Sequence, residues 1–291
     1  MKKLLLPVIL MAICIAIMLL VFTLCPTDTG PVRIAIIDTG IATAAINPAS
    51  IAEGYNYVLP DEGTEDKLGH GTAIAGILVG SQSAGITGVC PDAVLIPLVY
   101  ETAGPAEDRL KADLSAVVQA IYDAVDVYHC DIINLSAGAK TNEEELRQAA
   151  AYAETQGVLL ISSAGNDGDS TMYYPGGYDT VLCVGACNRE ETGRASFSNF
   201  HNGVDILEQG DGIRVASIRG KTIRVFGTSY ATAYVTGAAA CLLSEHPNLK
   251  PAEVRQILLA SAYDVCDAGY DINSGWGILD QDAALQWVPR R

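Results

Sequence analysis

Four polar residues stand where apolar segments begin or end, and together they hold the chemistry of amide hydrolysis. Ser229, in Gly227-Thr228-Ser229-Tyr230-Ala231-Thr232, heads a run of small and apolar residues that reaches Leu243. A hydroxyl at the entry to a buried helix reads as a nucleophile or as that helix's N-cap. His70, in Gly69-His70-Gly71-Thr72, precedes the apolar residues 73–79 and is a candidate proton acceptor. Asp38 closes Ile34-Ala35-Ile36-Ile37, so it reads as a strand-end acid able to hold an imidazole in one tautomer. Asn166, in Ala164-Gly165-Asn166, follows the apolar residues 158–161 and carries an amide able to donate to a developing oxyanion. Taken singly, each is also explained as a cap or a turn residue. Nucleophile, base, orienting acid and oxyanion donor together make hydrolysis the stronger reading.

The elements that must position these residues alternate short apolar runs with helical spacing. Strands are expected over 32–37, 94–99, 132–136, 158–162 and 181–185. Helices are expected from His70 through 78, over 110–127, 143–155, 229–244 and 251–261, the last with Pro251 in its first turn. This order predicts an α/β fold, a doubly wound, mostly parallel sheet with helices on both faces. Pro97 requires an edge or bulge position in its strand. Asp61, Glu62, Glu65 and Asp66 match no EF-hand spacing and read as a solvated loop.

The formal charge of −16, with no basic patch to balance it, argues against nucleic acid as the main partner. Residues 4–24, a stretch of 21, are nearly all apolar and follow Lys2 and Lys3. That length spans a bilayer, and the lysines favour an inside N-terminus. The expectation is a membrane anchor or signal peptide over 1–25 and a catalytic domain over 26–291, membrane-anchored outside the cytoplasm, or secreted if the segment is cleaved. Cys90, Cys130, Cys183, Cys187, Cys241 and Cys266 follow, in small-residue contexts that favour free buried thiols over a disulfide framework. Four compact zinc ligands do not occur, so no metal site is assigned. Oligomeric state is not specified by any of these features.

Asp38-Thr39-Gly40, Gly69-His70-Gly71-Thr72, Ala164-Gly165-Asn166 and Gly227-Thr228-Ser229 with Ala231 resemble, in that order, the motifs of the subtilisin-like serine proteases. The order Asp, His, Ser separates this family from other serine hydrolases. The resemblance runs from about Val32 to Ala284 and includes Phe197-Ser198-Asn199-Phe200 and Gly275-Trp276-Gly277. It implies a subtilisin-like fold and an endopeptidase acting on polypeptides through an acyl-enzyme, with Asp38, His70 and Ser229 as triad and Asn166 at the oxyanion. No cofactor is implied for the chemistry. It further implies that Leu135, Ser136, Ala137 and Gly138 pair with an extended peptide and line the pocket for the residue before the cut. Tyr100, Glu101, Thr102, Ala103 and Gly104 would form the opposite wall.

Several positions depart from the family pattern. Tyr230 and Ala233 stand where Met and Pro are common, and Ala73 where a second His often follows. Glu208-Gln209-Gly210 replaces Ala-Pro-Gly, with Glu208 read as a solvated loop residue or an external charge. Structural calcium is known in the family, yet Gly80 to Gly88 offers Ser81, Gln82, Ser83 and Thr87 but no acid. Only Cys25 to Val32 separates the apolar segment from the first strand, which leaves no room for a folding propeptide of domain size. Two alternatives share Ser229: a catalytically impaired, peptide-binding pseudoprotease of the same fold, and an esterase.

Overall fold

Ile34, Ile36 and their alternating neighbours Ala35 and Ile37 are all fully buried, because their strand is covered on both faces. The computed structural model describes residues 30–104 and 108–287, and within it this strand is the pivot of a nine-stranded sheet. In chain order the strands are β1 Arg33–Asp38, β2 Tyr55–Asn56, β3 Val94–Val99, β4 Ile132–Leu135, β5 Leu159–Ser163, β6 Leu182–Cys187, β7 Ile206–Gln209, β8 Ala262–Tyr263 and β9 Ile278–Leu279. They lie in the order β8-β9-β7-β6-β5-β4-β1-β3-β2. Every pairing is parallel except that of β8 with β9. The winding direction reverses at β1, between β3 and β4. Open α/β sheets bind ligands at the carboxyl ends of strands around such a switch point.

The helices are α1 His70–Val79, α2 Leu114–Asp126, α3 Glu144–Thr155, α4 Thr228–Glu245, α5 Pro251–Ala260 and α6 Gln281–Leu285. One core joins Ile34, Ile36, Leu95 and Ile161 to α1 and α4; a second joins Ala35, Ile37, Ile96 and Leu160 to α2 and α3. The alternation of β1 residues between the two cores is the period-two geometry of a strand. Helix α4 is buried almost all round, and its small residues permit close approach. A Cβ at Gly237 would lie 2.6 Å from the Val89 Cβ.

The expected helix over 110–127 begins later. Leu110 lies instead in a hairpin, Glu101–Ala103 against Arg109–Lys111. The helix starts after Asp113, whose carboxylate accepts from the Ala116 N–H at 3.2 Å. Pro97 is not on an edge strand but one strand in from the edge. The Val94 N–H points to Val32 on the β1 side, so alternation turns the missing N–H of Pro97 toward two-residue β2, where no ladder is broken.

β7 was not expected, nor was the hairpin Asp211–Ala216 with Thr222–Phe226. β7 carries Glu208 inward, only 5% exposed, which corrects its reading as a solvated residue. Its Oε1 accepts from the Gln209 N–H at 2.8 Å. Its Oε2 meets no donor at hydrogen-bonding geometry among the described residues, although Gln281 lies nearby. Burial pushes this carboxyl up to about 7. Cys90, Cys130, Cys183 and Cys187 are buried free thiols, whereas Cys266 is exposed. The apolar span over 4–24 lies outside the described residues. Among the described residues, no helix is long and apolar enough to cross a membrane.

Candidate active site

Asp38 ends β1 and is 1% exposed. Its Oδ1 accepts from the Thr39 N–H at 2.7 Å, and both its oxygens lie 2.8 Å from His70 Nδ1. His70 opens α1, and the approach of that helix to the strand end depends on glycine. A Cβ at Gly71 would lie 2.2 Å from the Gly40 carbonyl oxygen and 3.2 Å from Asp38 Oδ1. Thr39 Oγ1 accepts from the Gly71 N–H at 2.9 Å and locks the same junction.

The helix start has a second anchor that composition did not distinguish from its neighbours. Asp61, Glu62 and Glu65 are exposed, but Asp66 is 3% exposed. Its Oδ1 accepts from the N–H groups of Leu68 and Gly69 at 2.8 and 2.7 Å. Its Oδ2 accepts from the Thr72 N–H at 2.9 Å and the Thr72 hydroxyl at 2.6 Å. The loop reading therefore holds for three of the four acids, while Asp66 satisfies the orphan donors around the helix start.

The imidazole side chain is 33% exposed. Burial disfavours its charge, but the Asp38 carboxylate beside it, with Asp66 and Glu101 further off, outweighs burial and holds its pKa above the ordinary histidine value.

Ser229 sits at the head of α4, 7% exposed. Its hydroxyl donates to the Ser136 carbonyl at 3.4 Å, and the Ser136 hydroxyl donates to the Ser229 carbonyl at 3.3 Å. Asn134 Nδ2 donates to Ser136 Oγ at 3.1 Å while its Oδ1 accepts from Thr236 at 3.0 Å, binding the end of β4 to α4. Tyr230, next to Ser229, packs its ring 5.6 Å from the His70 ring.

Asn166 follows β5. Its Oδ1 accepts from the Thr228 N–H at 2.8 Å and from the Thr228 hydroxyl at 3.1 Å. With its oxygen so engaged, the amide nitrogen is left as a donor at a cleft that Asn166 shares with Ser229. Thr228 had no role in the sequence reading beyond membership of the serine motif. Its position before Ser229 is the one signal that could have marked it.

That cleft holds about 270 Å³ between Ser136–Gly138 on one side and Ser163, Gly165 and Asn166 on the other. A neighbouring apolar cleft of about 160 Å³ is lined by Leu135, Ala137 and Gly138, and across from them by Tyr100, Lys111 and Leu114. Of the expected wall, Tyr100 lines this cleft. Glu101, Thr102 and Ala103 instead pair with Arg109–Lys111, with Thr102 fully buried and Gly104 closed in by Asp108 and Leu110. Lys111 and Leu114 were missed because their segment was absorbed into a helix. A third cleft, lined by His70, Tyr230, Ile218, Ile223 and Val225, continues on the other side of the histidine.

Among the described residues, no group of three or more His, Cys, Asp and Glu is arranged to hold a metal ion. The segment where the family's calcium would bind does not fit that ion. Gly80–Ser81 pairs with Ile86–Thr87, and the Ser81 hydroxyl is spent on the Ala45 carbonyl at 2.7 Å. A calcium ion takes six to eight oxygens, carboxylates prominent among them.

The chain is similar to known proteases along most of its length. Subtilisin DY of Bacillus licheniformis is 32% identical over 261 residues, covering 88% of this chain and 91% of that protein. Subtilisin E of Bacillus subtilis (strain 168) is 32% identical over 264 residues, with 88% of this chain spanning 66% of that one. The structure of the prenylagaramide maturation protease PagA superposes with a TM-score of 0.74 at 30% identity, covering 88% of this chain and 92% of the other. Residues 30–277 match the Subtilase family, and with the subtilisins at this level of identity the chain belongs to that family of serine endopeptidases.

Proposed function

We propose that Ser229, His70 and Asp38 hydrolyse peptide bonds through an acyl-enzyme, with Asn166 stabilising the oxyanion. The observation that carries this is that Asp38 holds His70 at 2.8 Å, while Ser229 and Asn166 line one cleft and Tyr230, next to Ser229, packs against the His70 ring. The Ser229 hydroxyl turns from the Ser136 carbonyl to the imidazole and attacks the substrate carbonyl carbon, as His70 takes its proton. Asp38 keeps Nδ1 protonated and stabilises the imidazolium. The carbonyl oxygen becomes an oxyanion that the Asn166 amide and the Ser229 N–H, at the start of α4, receive. His70 returns the proton to the leaving amine, and water then releases the acyl group by the same steps in reverse. Leu135, Ser136, Ala137 and Gly138 hold the substrate extended by backbone pairing, with Tyr100 and the Lys111 segment opposite. Lys2, Lys3 and the apolar residues 4–24 support action outside the membrane, tethered to it or released from it.

The test is labelling of the purified enzyme with a serine-directed fluorophosphonate, followed by peptide cleavage. The folded wild type labels and cleaves; Ser229→Ala and His70→Ala fold but do neither. Cleavage by both variants at the wild-type rate refutes the assignment. A folded wild type that binds peptide without labelling is instead a pseudoprotease.

A further inference from the structure

We propose that Tyr173 narrows the pocket beside Ser229, so that the enzyme cleaves after small, uncharged residues. This rests on the endopeptidase reading above and names its substrate class. The cleft next to the nucleophile is a slot between two backbone segments, and Tyr173 lines it with Ser136, Gly138, Gly165 and Asn166. The slot's two glycines show how far the ring fills it. A Cβ at Gly138 would lie 3.0 Å from Tyr173 Cβ and 3.3 Å from its Cδ1. A Cβ at Gly165 would lie 2.7 Å from Cδ2 and 3.0 Å from Cε2. The two edges of one ring thus face the two glycines, and a second aromatic ring cannot enter between them at that depth.

The ring is held in place from three directions. Its hydroxyl donates to Asp167 Oδ2 at 2.8 Å. Lys140 Nζ lies 3.0 Å from the same oxygen and 5.4 Å from the ring centroid. The backbone that carries Tyr173 is tied to the wall it faces, since Ala139 and Tyr174 exchange N–H···O bonds of 2.9 and 2.8 Å. Asp167, the one charged residue that lines the slot, is paired with Lys140. The slot therefore accepts a methyl or hydroxymethyl group in preference to a ring or a long charged chain.

Peptides that differ only in the residue before the cut, Ala or Phe, provide the test. Wild type is expected to favour Ala by about 10-fold or more in kcat/KM, the scale on which a filled pocket discriminates. Tyr173→Ala should gain at least about 10-fold for Phe. Tyr173→Phe, which keeps the ring and loses only the hydroxyl, should retain the preference for Ala. Product peptides ending in Ala or Phe, bound to the Ser229→Ala protein and read by fluorescence polarisation, report the same preference without turnover. Fluorophosphonate labelling reports separately whether the chemistry stands. A wild type that prefers Phe in cleavage or binding overturns the proposal. So does a folded Tyr173→Ala variant that gains nothing for Phe in either measurement. Loss of labelling in the folded wild type overturns the endopeptidase reading alone.

Discussion

Glu208→Gln should make the protein more stable at pH 8 and leave it unchanged at pH 4. Glu208 is 5% exposed, its Oε2 meets no donor at bonding geometry among the described residues, and burial raises its pKa from 4.5 to about 7. In the unfolded chain the carboxyl ionises from the ordinary value upward, while in the folded protein it keeps its proton to about 7. A folded pKa above the unfolded one means that the unfolded state sheds its proton first. Stability therefore falls as pH rises from 4.5 to about 7 and is flat beyond. At about 1.4 kcal/mol per pH unit, the interval amounts to about 3 kcal/mol at pH 8. Gln keeps the acceptor for the Gln209 N–H and cannot ionise, so it removes this loss. For a domain of this size the gain corresponds to a rise in Tm of roughly 6–10 °C. Equilibrium urea unfolding between pH 4 and 8, in a Ser229→Ala background that prevents autolysis, measures it. The reasoning is refuted if wild type and Glu208→Gln show parallel stability curves across that range, or if the variant is less stable at pH 8.

Asp38→Asn removes the charge that holds the His70 pKa up. The acidic limb of the kcat/KM profile should move to lower pH, and the maximal rate should drop by about 10⁴. Asn166→Ala should lower kcat by about 10²–10³ with KM little changed, the scale on which subtilisin loses turnover when one oxyanion donor is removed; steady-state kinetics on one peptide decides it. Asp66→Ala strands the donors of Leu68, Gly69 and Thr72, so urea unfolding should show a loss of about 2–4 kcal/mol.

The strands that flank the switch point were legible because burial on both faces leaves uninterrupted apolar runs, as in residues 34–37 and 132–133. Asp38, His70, Asn166 and Ser229 were legible because each interrupts the polarity pattern at an element boundary. β7 was not, since Ile206 and Leu207 give way at once to Glu208 and Gln209. The hairpin over 101–111 was hidden because Leu110 happens to fit the helical spacing of the residues that follow Asp113. Asp66 and its three acidic neighbours are chemically alike, and only the packing of α1 decides which one is drawn inside. Thr228 and Tyr173 act through partners 62 and 35 residues away in the chain, Asn166 and Gly138 respectively. Local pattern carries no trace of such pairings.

The central position of α4 has a consequence for how the chain comes into being. That helix packs against β4, β5, β6 and β7, all of which precede it in sequence. A chain growing at ~5–20 residues per second passes from the end of β1 to the end of α4 in roughly 10–40 s. Throughout that interval the face over β4 to β7 lacks the cover of α4, and its Ile, Leu and Val side chains are open to other chains or to chaperones. Ser229 arrives with the helix that covers β4 to β7, so a product truncated before it lacks both that cover and the proposed nucleophile.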